Sequence, residues 1–199
     1  MNRIRKLIKR TQQSDRRGLT MIELMVSLSI FGIVMGVVFS FLVGARDSYQ
    51  DTRQRVHYQQ SMRAVLSLMT REVRSSGCDP TSAGFESIAI ASVNALQCRA
   101  DLNGDGDTTD VSPDESVTYG YNAAAGELLR FDGAVAITVL RGLNNLTFTY
   151  FDAGGAVLGA VPLNALDRAM VRYVEVMIDG ETDRGEPVSY TTRIAVRNG

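Results

Sequence analysis

Gly18-Leu19-Thr20-Met21-Ile22-Glu23-Leu24-Met25-Val26 opens the long apolar run of this 199-residue chain and sets a carboxylate inside it. From residue 19 to residue 43 almost every side chain is aliphatic, aromatic or small. About 25 residues at ~1.5 Å rise each reach roughly 37 Å as a helix, enough to cross a bilayer core. An ionised side chain near the start of such a run is expensive, and usually marks function with a specific partner. Glu23 therefore asks for one.

The flanks sharpen the reading. Residues 1–18 hold seven cations (Arg3, Arg5, Lys6, Lys9, Arg10, Arg16, Arg17) against Asp15, which leaves 14 cations and 21 anions for the rest of the chain. A basic head thus precedes the apolar run and an acidic body follows it, as the positive-inside rule asks of a membrane helix with its body translocated. A cleaved secretory signal is the rival, but the run is longer than a usual signal core and no A-x-A-like site follows it. A buried core helix fits poorly with seven cations directly upstream. The acidic body argues against nucleic acid as a partner, since phosphate binding rests on clustered Lys and Arg.

The basic leader ending in Gly18, the segment Leu19-Thr20-Met21-Ile22-Glu23-Leu24-Met25-Val26 and the apolar helix together resemble the class III signal of type IV pilins and type II secretion pseudopilins. The resemblance rests on about the first 45 residues. It implies that a prepilin peptidase cuts between Gly18 and Leu19 and methylates the new amino terminus. Glu23 would then be the fifth mature residue. Leu19 stands where the family most often has Phe or Met. The resemblance also implies a partner for Glu23: the amino group of Leu19, its own or that of a neighbouring subunit. Snorkelling of Glu23 to the headgroups is the alternative. The implied life of the chain is a single pass of the bacterial inner membrane with the head in the periplasm, then a pilus or pseudopilus built with other pilin subunits.

Beyond residue 43 the composition turns polar while helical spacing persists. Met62, Val65, Leu66, Met69 and Val73 fall on one stripe of an amphipathic helix. No proline precedes Pro80, so one long helix over about residues 19–76 is expected, with Gly77 as its C-cap. Gly32 and Gly36 form a G-x-x-x-G pair suited to close helix approach. From Cys78 the pattern becomes short alternating runs between Gly, Asn and Asp turns, notably over residues 146–151, 173–178 and 190–196. Further strands are expected near residues 86–93, 116–121 and 127–137. Asp152-Ala153-Gly154-Gly155 reads as a turn, and residues 179–185 as a hairpin loop. The fold class is α+β: a long N-terminal helix, part membrane anchor and part amphipathic spine, packed on an antiparallel sheet head. The organisation is a leader at 1–18, a transmembrane or filament-core helix at 19–44, a spine at 45–77 and a head at 78–199. The strand order and the ending Arg193-Ile194-Ala195-Val196-Arg197-Asn198-Gly199 resemble PilW-like minor pilins and J-type minor pseudopilins.

Export would favour a disulfide between Cys78 and Cys98, closing a loop of about 21 residues for roughly 3 kcal/mol in the chain-entropy model. Free thiols are the alternative. The sharpest head motif is Asp101-Leu102-Asn103-Gly104-Asp105-Gly106-Asp107-Thr108-Thr109-Asp110, within an Asp-rich loop over 101–115. Oxygen side chains at positions 1, 3 and 5 with Gly at 6 make the first half of an EF-hand-type calcium loop. Asp101, Asn103, Asp105, Asp107 (through its carbonyl) and Asp110 are the candidate Ca2+ ligands. The usual acidic twelfth residue is Ser112, so Asp110, Asp114 or Glu115 must close the site. A solvated acidic turn is the alternative.

Function falls into three classes. A minor pilin in, or priming, a type IV pilus leads, with a J-type minor pseudopilin of type II secretion beside it. A membrane-anchored periplasmic enzyme is weaker: the only histidine, His57, lies in the polar helix, and the head holds no G-x-S-x-G or phosphate loop. No catalytic residue is assigned. A pilus-tip adhesin is the third.

Overall fold

A computed structural model describes residues 18–159, 161–182 and 185–196. Residues 1–17 of the leader and the last residues, 197–199, lie outside the described residues. Helix α1 runs Met21–Ser75 without a break, as the absence of proline allows. By internal contacts the chain divides into two units at Gln50 and Asp51. In the first unit every residue from 18 to 50 is exposed, including Phe31, Phe39 and Phe41. An apolar face of this size does not stay in water and marks a membrane or protein contact. Among the described residues α1 is the one helix long and apolar enough to cross a membrane.

The second unit joins residues 51–75 of α1 to eight strands and a short helix. β1 (Ile88–Ala91), β2 (Ala95–Arg99), β3 (Ser116–Asn122), β4 (Glu127–Phe131) and β5 (Ala136–Arg141) form an antiparallel sheet in chain order. β6 (Leu143–Phe151), β7 (Tyr173–Glu181) and β8 (Pro187–Ala195) form a second, with α2 (Ala165–Ala169) in the β6–β7 connection. The architecture is the expected α+β, a long helix followed by antiparallel sheets.

The stripe read from spacing is the spine of the core. Met62, Met69 and Val73 are wholly buried, and Val65 and Leu66 nearly so. They share one apolar cluster with Leu96, Tyr119 and Leu128 of the first sheet and Phe148, Val176 and Ile178 of the second. The two sheets are stitched where the Phe148 amide donates to the Val93 carbonyl at 2.8 Å and the Tyr150 hydroxyl to that of Ser92 at 2.8 Å. α1 ends at Gly77, which takes the left-handed conformation expected of a C-cap (φ 77°). Its N–H, however, donates to the Arg99 carbonyl at 2.8 Å rather than back into the helix.

Several strand bounds differ from expectation. β2 was not foreseen: Ala95-Leu96-Gln97-Cys98-Arg99 lacks β-branched and aromatic residues, and pairing with β1 and β3 overrides its weak propensity. The single strand expected at 127–137 is two, parted where Asp132 accepts the amides of Ala134 and Val135 at 3.0 Å and Gly133 turns with φ 93°. The loop expected at 179–185 is shorter, because Asp179 and Gly180 stay in the ladder opposite Ser189 and Val188. The Asp152–Gly155 turn forms as expected, closed by the Gly155 amide on the Asp152 carbonyl at 3.1 Å.

Candidate functional site

At the amino end, Gly18 and Leu19 are exposed and precede the helix, so the Gly18–Leu19 bond lies in non-helical chain. Thr20 and Glu23 close on each other. The Thr20 amide and hydroxyl donate to Glu23 Oε2 at 2.9 and 2.8 Å, and the Glu23 amide donates to Thr20 Oγ1 at 3.4 Å. This is a reciprocal capping box, Thr-x-x-Glu, satisfying amides that the first turn of a helix leaves orphaned. Its signature stands in the sequence at the start of the apolar run. Glu23 thus has a local partner, Thr20, where the sequence pointed only to a remote one.

Residues 13–39 match the model of the prokaryotic N-terminal methylation motif. The chain carries a type IV pilin-like prepilin signal. A comparison with curated proteins gives no match. The motif implies processing by a prepilin peptidase and assembly with other pilins, and it suits a structural rather than an enzymatic protein. It covers the Gly18–Leu19 bond, Glu23 and the G-x-x-x-G pair of this pilin-like chain.

In the head, the Asp-rich loop folds around Asp101 and Glu115, both buried. Asp101 accepts the Gly104 amide at 2.5 Å through one oxygen and the Gly106 amide at 3.0 Å through the other. Both glycines have positive φ (81° and 94°), a turn that other residues enter only with strain. Asn103 bridges two of its neighbours, donating to Asp105 at 3.0 Å and Asp110 at 2.6 Å. Of the expected ligand set, Asp105 and Asp107 come together, and Glu115 joins them: one carboxylate oxygen of each lies within 4.8 Å of the others. Asp107 offers its carboxylate to the group. Asp110 is half-buried beside the group; desolvation, then the charges of Asp105, Glu115 and Asp107, push its carboxyl above the ordinary range. Asp105 is held below that range, chiefly by the Asp107 amide.

Next to Glu115, Asp114 leads into a charge network that sequence reading missed. Arg130 on β4 pairs with Glu72 on α1 at 2.8 Å and with Asp114 at 2.7 Å. The Tyr119 hydroxyl donates to the same Glu72 carboxylate. Burial works against the Arg130 charge, but the bonds to Glu72 and Asp114 outweigh it and raise its pKa. The only signal available was Glu72 beside Val73 on the buried flank of the α1 stripe; its partners lie 47 and 58 residues away.

The expected Cys78–Cys98 disulfide is not formed, and both thiols are free. Register is the reason. The Cys78 carbonyl accepts the Asp101 amide and Gly77 donates to Arg99, so Cys78 sits beyond the level of Cys98. Cys98 instead turns its buried side chain to the core face of β2, beside Ser76 and Glu72. His57 is exposed, the solvated residue expected.

Proposed function

We propose that the chain is a minor pilin: it is inserted in the bacterial inner membrane with its head in the periplasm, cut between Gly18 and Leu19, and incorporated into a type IV pilus or used to prime one. The methylation motif at residues 13–39, set on the stretch of α1 up to residue 50 whose apolar residues are all exposed, carries this reading. In the membrane that face meets lipid. In a filament it meets the same segment of other subunits, with Gly32 and Gly36 permitting close approach. Glu23 then has two tasks in succession. Within its own chain it closes the capping box, and in the filament it offers a charge to the methylated amino terminus of a neighbouring Leu19. Pairing there reduces the cost of burying both charges.

A deletion strain tests the assignment. Loss of pili and twitching, restored by the wild-type gene, is expected. Intact piliation with lost secretion of exoproteins would move the chain to the J-type minor pseudopilins, which share the signal.

A further inference from the structure

The Asp-rich loop carries more than a turn needs. Asp101 alone holds the glycine bend, through two backbone amides. Glu115 is buried to 1 % exposure, and only its Oε1 is satisfied, by the amides of Leu102 at 2.8 Å and Asn103 at 3.2 Å. Oε2 is buried with no hydrogen-bond partner among the described residues. A buried carboxylate oxygen left bare costs the full desolvation of that atom. Glu115 stands with Asp105 and Asp107, so three negative groups converge where one of them is half-satisfied. Counter-charge is scarce: both lysines of the chain lie at residues 6 and 9, and Arg130 is engaged by Glu72 and Asp114.

We propose that Asp105, Asp107 and Glu115 form a calcium site, with water completing the coordination and Asp110 as the adjoining acid. The donors are all hard oxygens, which excludes the soft-metal chemistry of thiolate sites. Ligand type selects between the hard cations: calcium accepts several protein carboxylates in flexible geometry, whereas magnesium keeps most of its waters and takes one or two. The three oxygens lie within 4.8 Å of one another, so a single cation can reach all three. The site differs from the EF-hand order: Asp101, at the first position, gives its oxygens to the backbone, and the closing acid is Glu115, fourteen residues on in sequence and leading into β3. A cation there would tie the loop to the core, since Glu115 also holds the Ala100 amide through its carbonyl at 2.9 Å and adjoins the Asp114–Arg130–Glu72 network. The inference is independent of the pilus reading, and its failure leaves the prepilin signal untouched.

The test is thermal unfolding of the full chain in detergent, with calcium chloride, magnesium chloride or potassium chloride of matched ionic strength. Millimolar calcium is expected to raise Tm by roughly 2–8 °C, reversibly with chelator, and more than magnesium does. The double variant Asp105→Asn/Asp107→Asn, at exposed positions, keeps its fold and loses the calcium response. Glu115→Gln retains Oε1 for Leu102 and Asn103 while weakening calcium at least ~10-fold, as expected for a lost charged ligand. No calcium shift, a shift matched by potassium chloride, or a shift that survives the double variant overturns the site. An equal response to magnesium overturns the choice of calcium.

Discussion

Glu23 is read two ways by the same chain, and two substitutions part them. As a capping residue it accepts from Thr20, which glutamine can also do; as a charge for a neighbouring amino terminus it cannot be replaced by glutamine. Glu23→Ala is expected to cost about 1 kcal/mol of helix stability by losing the box, and also to assemble poorly. Glu23→Gln is expected to keep the helix start, measured by hydrogen exchange of the first-turn amides, yet enter pili poorly. Normal piliation by Glu23→Gln would reduce Glu23 to a cap. Cys98 offers a second test at this scale. Burial, then the nearby Glu72 carboxylate, push its thiol up to about 12 from an ordinary value near 9. The stability held by the neutral thiol is therefore complete below about pH 9 and is lost as pH rises toward 12. At pH 8 an alkylating reagent should modify half-buried Cys78 well before Cys98, and both together once the chain unfolds. Equal rates in the folded protein would contradict the burial of Cys98. Gly18 and Glu23 stand out together in the sequence because family resemblance and membrane cost point at the same segment, whereas the Thr20 partner of Glu23 emerged only from the structure. The free thiols were not legible, because export chemistry says nothing about register.

Among elements, α1 was legible almost to its last residue, because a helix announces itself through local periodicity. Met62, Val65, Leu66, Met69 and Val73 were placed on one face from spacing alone, and that face is the buried one. Met69→Ala should cost about 2–5 kcal/mol by emptying a fully buried site, seen as a lower urea midpoint. A loss under ~0.5 kcal/mol would mean that α1 does not pack there. Strands were legible where β-branched and aromatic residues alternate, as in β6 and β7, whose Phe148, Val176 and Ile178 face the core. β2 was not, since its place depends on neighbours distant in sequence. Close backbone approach was equally hidden. At Gly180 an added Cβ would strike the Tyr58 hydroxyl and lie 2.6 Å from the Gly142 carbonyl, so Gly180→Ala should break the 2.7 Å bond from Tyr58 to Gly142 and lower Tm. An unchanged Tm would place that contact elsewhere.

At the scale of the whole molecule, sequence reading separated a machine-recognition segment from a head whose own chemistry is assembled by folding. The Asp-rich loop stood out as a run of ten residues, but Glu115 entered the cluster only because β3 brings it back beneath the loop. The Arg130 network likewise joins α1, β3 and β4, and it predicts that Arg130→Ala costs about 3 kcal/mol by leaving Glu72 and Asp114 without their counter-charge. The account stands most directly on the prepilin signal, since the membrane anchor, the filament and the second task of Glu23 all follow from it. Its test is mass spectrometry of the mature amino terminus after co-expression with a prepilin peptidase. The expected product is a chain that begins at Leu19, carries one methyl on its α-amino group and retains the whole apolar helix. A chain that keeps its leader, or one cut beyond the apolar run as a secretory signal would be, contradicts it.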